Sequence, residues 1–473
     1  MKTFFYYLMI LLVGALLTLA FAPFHIYSLS FILPAILLYW WLNATPKKSF
    51  FIGWIFGFGF FIASCSWIYI SLHQFGNAPV WLAGAVTVLF MLILGLYFGL
   101  LGYVFKKFFA RATLAAQCLF IFPVLWVVIE ALRSTLFTGF PWVLLGYAQI
   151  DTPIRGLAPL MGVYGLSFVT AMMSGALVLL FTRQSRSLKI TSLVLIFGWI
   201  GLGWAFSHHA WTKPIGKPLQ VSLIQGDIPI DMKWNASSIL KNINVYQTLT
   251  FQHWDSQLIV WPEGALSVYP QEAKSFISNL NQLAKKHHSN VLFGIPIFHE
   301  NTKDYFNGLL LIGDNQGKYL KRHLVPFGEY IPMPSIFGKL MSYFQIPMSD
   351  FSKGPEKQAP LQIGSIQIAP FICYEIAFSN QVLRYAENSN LLLTISDDAW
   401  FGKSIALAQH LQMAQMRSLE TGRAQLLDTN TGITAFISPL GEIIKGAPIG
   451  ERVVITSDVQ PMAGKTPLMR WRY

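Results

Sequence analysis

Seven long apolar runs crowd the first 206 residues, covering approximately residues 4–22, 27–42, 51–72, 80–105, 115–132, 159–181 and 190–207. Crossing the ~30 Å hydrocarbon core of a bilayer takes roughly 20 apolar residues in an α-helix, and the runs are of that order. Short polar breaks such as Thr45-Pro46-Lys47-Lys48 and Arg183-Gln184-Ser185-Arg186 separate them. The whole chain is 54% hydrophobic and only 12% charged, with a mean hydropathy of +0.48, too apolar for a soluble protein. The expectation is a polytopic α-helical membrane domain of about seven helices over residues 1–210. A second domain in a different solvent follows over residues 218–460.

The basic residues orient the spans. Lys2, Lys47, Lys48, Lys106, Lys107, Arg111, Arg183, Arg186 and Lys189 fall on one side of the alternating breaks, and only Arg133 and Arg155 on the other. The positive-inside rule makes the first side cytoplasmic, so an odd number of spans places everything after Ser207 outside the cytoplasm. Lys2, the first apolar run and Ala20-Phe21-Ala22 imitate a cleaved signal peptide, but Pro23 and six further spans favour an uncleaved anchor. The formal charge of +12 reflects these orientation signals and attraction to anionic lipid, and no basic stripe with interleaved aromatics suggests nucleic acid.

Three cysteines offer no disulfide framework: Cys65 and Cys118 lie in or beside spans, leaving Cys373 alone in the outer half. A lone thiol in an oxidising compartment is a liability unless it has a use.

From Leu219 onward, short β-rich runs at 219–225, 257–261, 291–298, 308–312, 366–373 and 391–396 alternate with helical patterns at 271–287 and 406–422, and 452–459 suggests a last strand. Many runs are apolar on both faces, which points to a layered α/β domain. Three polar clusters sit at strand ends. In WPEGA, Glu263 follows an apolar strand and precedes a glycine turn, a pattern that fits a desolvated general base and equally a solvated turn acid. In KYLKRHLVPFGEYIP, Lys321 and Glu329 flank an apolar connector, either as a fixed cation for an oxyanion or as a surface ion pair. His323 there is a spectator. In IAPFICYEIAFSN, Cys373 ends a buried strand before a turn, as a nucleophile on a strand-to-helix elbow or as a packed structural thiol.

Glu, then Lys, then Cys, each closing an apolar strand, is the order of the carbon–nitrogen hydrolase (nitrilase) superfamily, which this half resembles. With the membrane half attached, the chain resembles the bacterial apolipoprotein N-acyltransferase family. The likeness runs through FAPF at Phe21, GFGFFIASCSWIYISLHQFG at Gly57, TGFPWVLLGYAQ at Thr138, LAPLMGVYGLSF at Leu157, IQGDIP at Ile224, WPEGA, LVPFGEYIP, CYE, DAWFG at Asp398, QHLQMAQMRSLE at Gln409 and TNTGITA at Thr429.

The resemblance implies an αββα nitrilase-like sandwich on the periplasmic side of a bacterial inner membrane, with neither metal nor cofactor. It implies that Cys373 takes the sn-1 acyl chain of a phospholipid, usually phosphatidylethanolamine, as a thioester. The acyl chain then passes to the α-amine of the N-terminal diacylglyceryl cysteine of an apolipoprotein. By the same resemblance Glu263 is the base and Lys321 the oxyanion cation, with Glu329 positioning Lys321. Tyr374 and Glu375 shape the pocket, Trp400 belongs to the substrate side, and Trp234 lies on a mobile arm. Residues 336–344 form an amphipathic helix that either dips into the membrane surface or packs on the domain. The chain departs from the family at Asp397 (usually Asn), Ala424 (usually Pro) and Leu427 (often Arg), and residues 461–473 form a tail without an evident eighth span. The rival readings are a membrane-tethered amidase, because the same three residues serve hydrolysis, and a transporter or lipoprotein-binding protein with an inactive domain. The membrane motifs, the scarcity of intramembrane charge and the intact triad speak against them.

Overall fold

The polar breaks between the apolar runs double as helix caps. Thr45, Thr113 and Ser185 each accept, through the side-chain oxygen, the backbone N–H three residues on, and Pro46 follows Thr45 at the first helical position. The computed structural model describes residues 2–233, 235, 237–335, 338 and 350–471. It divides into two compact units, one of residues 1–73, 79–209 and 404–412, the other of 74–78, 210–403 and 413–473.

In the first unit, six helices among the described residues are long and apolar enough to cross a membrane: α1 (Thr3–Ala20), α3 (Pro46–Cys65), α4 (Val80–Phe109), α5 (Leu114–Arg133), α6 (Pro153–Phe181) and α7 (Arg186–Ser207). The run expected at 27–42 forms α2 (Leu29–Leu42), an apolar helix of 14 residues containing Pro34. At 1.5 Å per residue α2 is about 21 Å long, short of the ~30 Å core. Helices α3 and α4 approach closely because Gly57 and Gly95 face each other: a Cβ on Gly57 would meet Gly95 Cα at 2.9 Å. Large apolar side chains such as Phe4, Trp81, Phe108, Phe197 and Trp204 point outward, as lipid-facing helices require.

Arg133 is buried, donating from Nη1 to the carbonyls of Phe140 and Trp142, each at 2.6 Å. One turn earlier, Glu130 accepts from Trp126 Nε1 at 3.0 Å and from the N–H of Leu145 at 2.7 Å. Phe137, Thr138, Gly139 and Val143 have positive φ, so these two side chains hold a tightly wound segment inside the unit. Arg133 is thus consumed by the fold rather than by orientation.

The second unit is built on two six-stranded mixed sheets. The first has the order β12-β1-β2-β3-β4-β5, from Val453–Val459, Leu219–Gln225, Leu258–Val260, Asn290–His299, Asp304–Gly313 and Gly317–Leu320. The second has the order β11-β10-β9-β8-β7-β6, from Ile443–Gly446, Ala435–Ile437, Gln425–Thr429, Leu391–Ser396, Ile366–Ile372 and Leu361–Ile363. β1, β2 and β3 run parallel, as do β7, β8 and β9, and the flanking strands are antiparallel.

Strand alternation sorts the apolar side chains into two layers. Leu219, Val221 and Leu223 meet Ile368, Leu391, Leu393 and Leu426 between the sheets. Ile224, Ile259, Val291 and Phe293 turn outward against Tyr246 of α8 (Ile239–Phe251) and Leu280 of α9 (Lys274–Lys286). With α10 (Ser379–Ala386) packed on β7, and with residues 413–421 of the buried helix α11 (Ala406–Thr421) in the same unit, this is the helix–sheet–sheet–helix sandwich expected. Residues 461–471 join the second unit: Met462 and Ala463 pair with Lys213 and Pro214, Arg423 donates to the carbonyl of Gly464 at 2.6 Å, and Thr466 donates to that of Glu420 at 2.8 Å.

Candidate active site

Glu263 stands three residues past β2. Trp261 N–H still bonds to Leu292 O at 2.8 Å, and its buried indole stacks on Tyr246 and donates to Thr250, so the turn begins from a fixed base. Lys321 follows β5 directly, its N–H held by Asn307 O on β4 at 2.8 Å. Cys373 follows β7, has φ +52° and opens a short 3₁₀ turn (Cys373–Ala377) before α10. A non-glycine residue in that left-handed region is uncommon and marks a sharp change of chain direction. The turn is the elbow that the sequence suggests.

The side chains converge. Lys321 Nζ lies 2.8 Å from Glu329 Oε1 and 3.5 Å from Glu263 Oε1, with Lys321 only 1% exposed. Asn307 Nδ2 donates to Glu263 Oε1 at 2.6 Å and to Glu329 Oε1 at 2.8 Å, and Asp397 N–H donates to Glu263 Oε2 at 2.9 Å. Glu329 Oε2 accepts the N–H of Val325 at 2.8 Å, which closes the loop that carries it. Burial first, and the Glu263 charge second, push the Cys373 thiol well above its ordinary value, while Lys321 and a Ser396 hydrogen bond pull it down. Burial acts to lower Lys321, but Glu329 and Glu263 outweigh it and hold the ammonium above its ordinary value. The site at rest therefore pairs a protonated thiol with carboxylates and a fixed cation.

Glu375 braces the main chain on either side of the site. Fully buried, it accepts from the N–H of Ile372 at 2.8 Å, from those of Arg322 and His323 at 2.7 and 3.1 Å, and from the Tyr319 hydroxyl. One carboxylate thereby ties the residue before Cys373 to the residue after Lys321. The Arg322 guanidinium lies 3.2 Å from the centre of the Tyr385 ring. Tyr374 packs edge-on to Phe378, His323 stacks on Phe378 and meets Gln381, and Trp400 packs edge-on to Phe75. Trp234, and with it all of residues 336–344 except Gly338, lies outside the described residues.

Three participants are not singled out by the sequence reading. Asn307 sits on β4 one residue before the apolar run 308–312, Lys233 bonds to Asp397, and Asn430, within TNTGITA, donates to Asp397 Oδ1 at 3.2 Å. Of the three departures, Asp397 is the partner of Lys233, Ala424 lies in the core between the sheets, and Leu427 is buried beside Asp428. A thiol, a carboxylate and a cation so arranged suit acyl transfer through a covalent intermediate.

Comparison with known proteins agrees. Residues 13–176 match the apolipoprotein N-acyltransferase N-terminal domain, and residues 220–467 match the carbon-nitrogen hydrolase family. The apolipoprotein N-acyltransferase of Coxiella burnetii is 48% identical over 463 residues, 98% of this chain and 96% of that protein. Those of Azotobacter vinelandii and Pseudomonas putida are each 40% identical, covering 98% of this chain and 91% and 93% of theirs. With such identity over almost the full length of both chains, this integral membrane protein belongs to the apolipoprotein N-acyltransferase family.

Proposed function

We propose that the protein transfers an acyl chain from a phospholipid to the α-amine of an N-terminal S-diacylglyceryl cysteine, with Cys373 as nucleophile, Glu263 as base and Lys321 as oxyanion cation. The observation that carries this reading is the meeting of Glu263 and Lys321 at strand ends beside Cys373, in a chain that also carries long apolar helices. Glu263 takes the thiol proton as Sγ attacks the ester carbonyl. Lys321 balances the oxyanion, and collapse expels the lysophospholipid oxygen, which recovers the proton from Glu263. The acceptor amine then attacks the thioester and gives up a proton to Glu263, which returns it to the departing thiolate as the amide forms. An amine near pKa 7.7–8.0 is sufficiently neutral to attack without a special base. Both substrates are too apolar to leave the bilayer, which accounts for an enzyme built on a membrane domain.

The finer assignments belong to the same reading: phosphatidylethanolamine as donor, its sn-1 chain as the one moved, a membrane domain over residues 1–210, a catalytic domain over 218–460, and a bacterial inner membrane with that domain on the periplasmic side. Glu329 positions Lys321 and Glu375 positions the elbow, while Tyr374 and Trp400 serve the substrate side.

Intact mass of the purified protein after incubation with phosphatidylethanolamine, with and without a diacylglyceryl-cysteine peptide, tests this. One hydroxylamine-sensitive acyl adduct, absent in Cys373→Ala and discharged onto the peptide amine, is expected. Cleavage of small amides with no adduct from any lipid would replace the reading by a tethered amidase.

A further inference from the structure

Beside the base lies an ion pair that these steps do not use. Lys233 closes a short helical turn (Ile230–Lys233), and its side chain is 3% exposed against 8% for its partner Asp397. The ammonium bonds to Asp397 Oδ2 and also donates to the main-chain oxygen of Glu263 at 2.6 Å. Asp397 in turn donates its N–H to Glu263 Oε2. Gly264 makes room: its φ is +58°, and a Cβ there would meet Lys233 Cε at 3.2 Å and Nζ at 3.3 Å. Asn430 completes the cluster, donating to Asp397 Oδ1 and to Ile228 O at 2.7 Å, and accepting from the N–H of Ile228 at 3.1 Å. The ends of β1, β2, β8 and β9 are thereby tied together.

A buried ion pair is a weak source of stability, since desolvation offsets its attraction, and its use has to be sought in the geometry it imposes. Here the geometry has one focus. The pair grips Glu263 at its backbone through Lys233 and at its carboxylate through Asp397. We infer that Lys233 and Asp397 are positioning residues that hold the base in reach of the nucleophile, an inference that rests on the reading of Glu263 as the base. The charges acting on the Cys373 thiol are those of Glu263, Lys321 and Asp398. Loss of the pair therefore reaches the thiol by way of Glu263.

The test uses the full-length enzyme with Lys233→Met, Asp397→Ala, the double variant and Asp397→Asn, which keeps an oxygen for the lysine. Each of the first two is expected to slow acyl-enzyme formation from phosphatidylethanolamine by about 10–100-fold, the scale of a displaced catalytic group, with KM for the donor unchanged. The double variant is no slower than the slower single, and Asp397→Asn keeps most of the rate. Alkylation of Cys373 by a haloacetamide, followed against pH without lipid, gives a second readout. Its midpoint moves down toward that of Glu263→Gln, as the base no longer presses on the thiol. Wild-type midpoints and rates in the singles would overturn the inference, as would losses that multiply in the double variant or a midpoint that holds while only thermal stability falls. If the wild type alkylates but takes no acyl chain from lipid, the proposed function fails and the midpoint shifts still decide the positioning role.

Discussion

Glu263 and Glu329 share one hydrogen-bond donor, with Asn307 Nδ2 lying 2.6 Å from an oxygen of the first and 2.8 Å from an oxygen of the second. The Lys321 ammonium lies 2.8 Å from Glu329 and 3.5 Å from Glu263, so a cation and an amide offset the repulsion between two carboxylates this close. Asn307→Ala should slow acylation about tenfold, the usual loss of one charge-assisted hydrogen bond. Asn307→Asp should slow it about tenfold further, since a third carboxylate repels the other two. Single-turnover acyl-enzyme formation by intact mass measures both, and a faster Asp than Ala variant would refute the argument.

The thiol and its neighbours separate acidity from catalysis. Glu263 raises the Cys373 thiol and Lys321 lowers it. Glu263→Gln should therefore shift the alkylation profile of Cys373 to lower pH while abolishing acyl transfer, and Lys321→Met should shift it to higher pH. A Glu263→Gln profile displaced upward would show that the carboxylate does not act on the thiol.

Much of the candidate site was legible because Glu263, Lys321 and Cys373 each follow an apolar run, and the end of a run survives inspection one segment at a time. Lys233, Asn307 and Asn430 were not, because their roles come from partners 164, 44 and 33 residues away. The positive φ of Cys373 leaves no mark, since only glycine advertises such a conformation. Strands of three residues such as β6 and β10 are too short for alternation to emerge, and β9 hid behind a buried Asp428 in an otherwise apolar run. Among the helices, composition marks α2 as apolar and says little of where a helix starts, so the run 27–42 is two residues longer than the helix it forms.

Asp428 is fully buried, and neither of its carboxylate oxygens has a hydrogen-bond partner among the described residues. Burial pushes its pKa well above the ordinary carboxylate value, so the folded state favours the protonated form. The stability this group contributes is full below the unfolded value of about 3.9 and is lost as pH rises through the folded value. Asp428→Asn should therefore gain in thermal midpoint relative to the wild type as pH rises from about 5 to about 9. A difference that is flat with pH would mean that Asp428 holds no proton in the fold.

Orientation turns on α2. Lys2 and the Lys47-Lys48 pair share a side only if both α1 and α2 cross, yet α2 is about 21 Å long and its neighbours must supply the remaining depth. With α2 crossing, seven spans put the catalytic domain and the residues after it on the side opposite Lys2. A reporter active only outside the cytoplasm, fused after Tyr473, is then expected to be active. Activity only from a cytoplasmic reporter would make α2 a re-entrant helix and six the number of spans.

Gly294 on β3 lies against the turn that carries Glu263, the proposed base. A Cβ placed there would lie 2.6 Å from Gly264 N, 2.7 Å from Glu263 Cα and 2.7 Å from Pro262 O, all of them backbone atoms. No rotamer relieves such a clash, so the Glu263 turn itself must move outward. Overpacking of this kind costs about 1–3 kcal/mol of stability. A shift near 1 Å at a reacting group costs about 100-fold in rate. Gly294→Ala should thus fold with a lowered thermal midpoint and lose far more acylation rate than its stability explains, whereas Gly84→Ala, where a Cβ meets nothing within 4 Å, leaves both unchanged. Full activity in Gly294→Ala would mean that the turn relaxes without displacing the carboxylate, and that Lys233, Asp397 and Asn307 alone keep Glu263 in place.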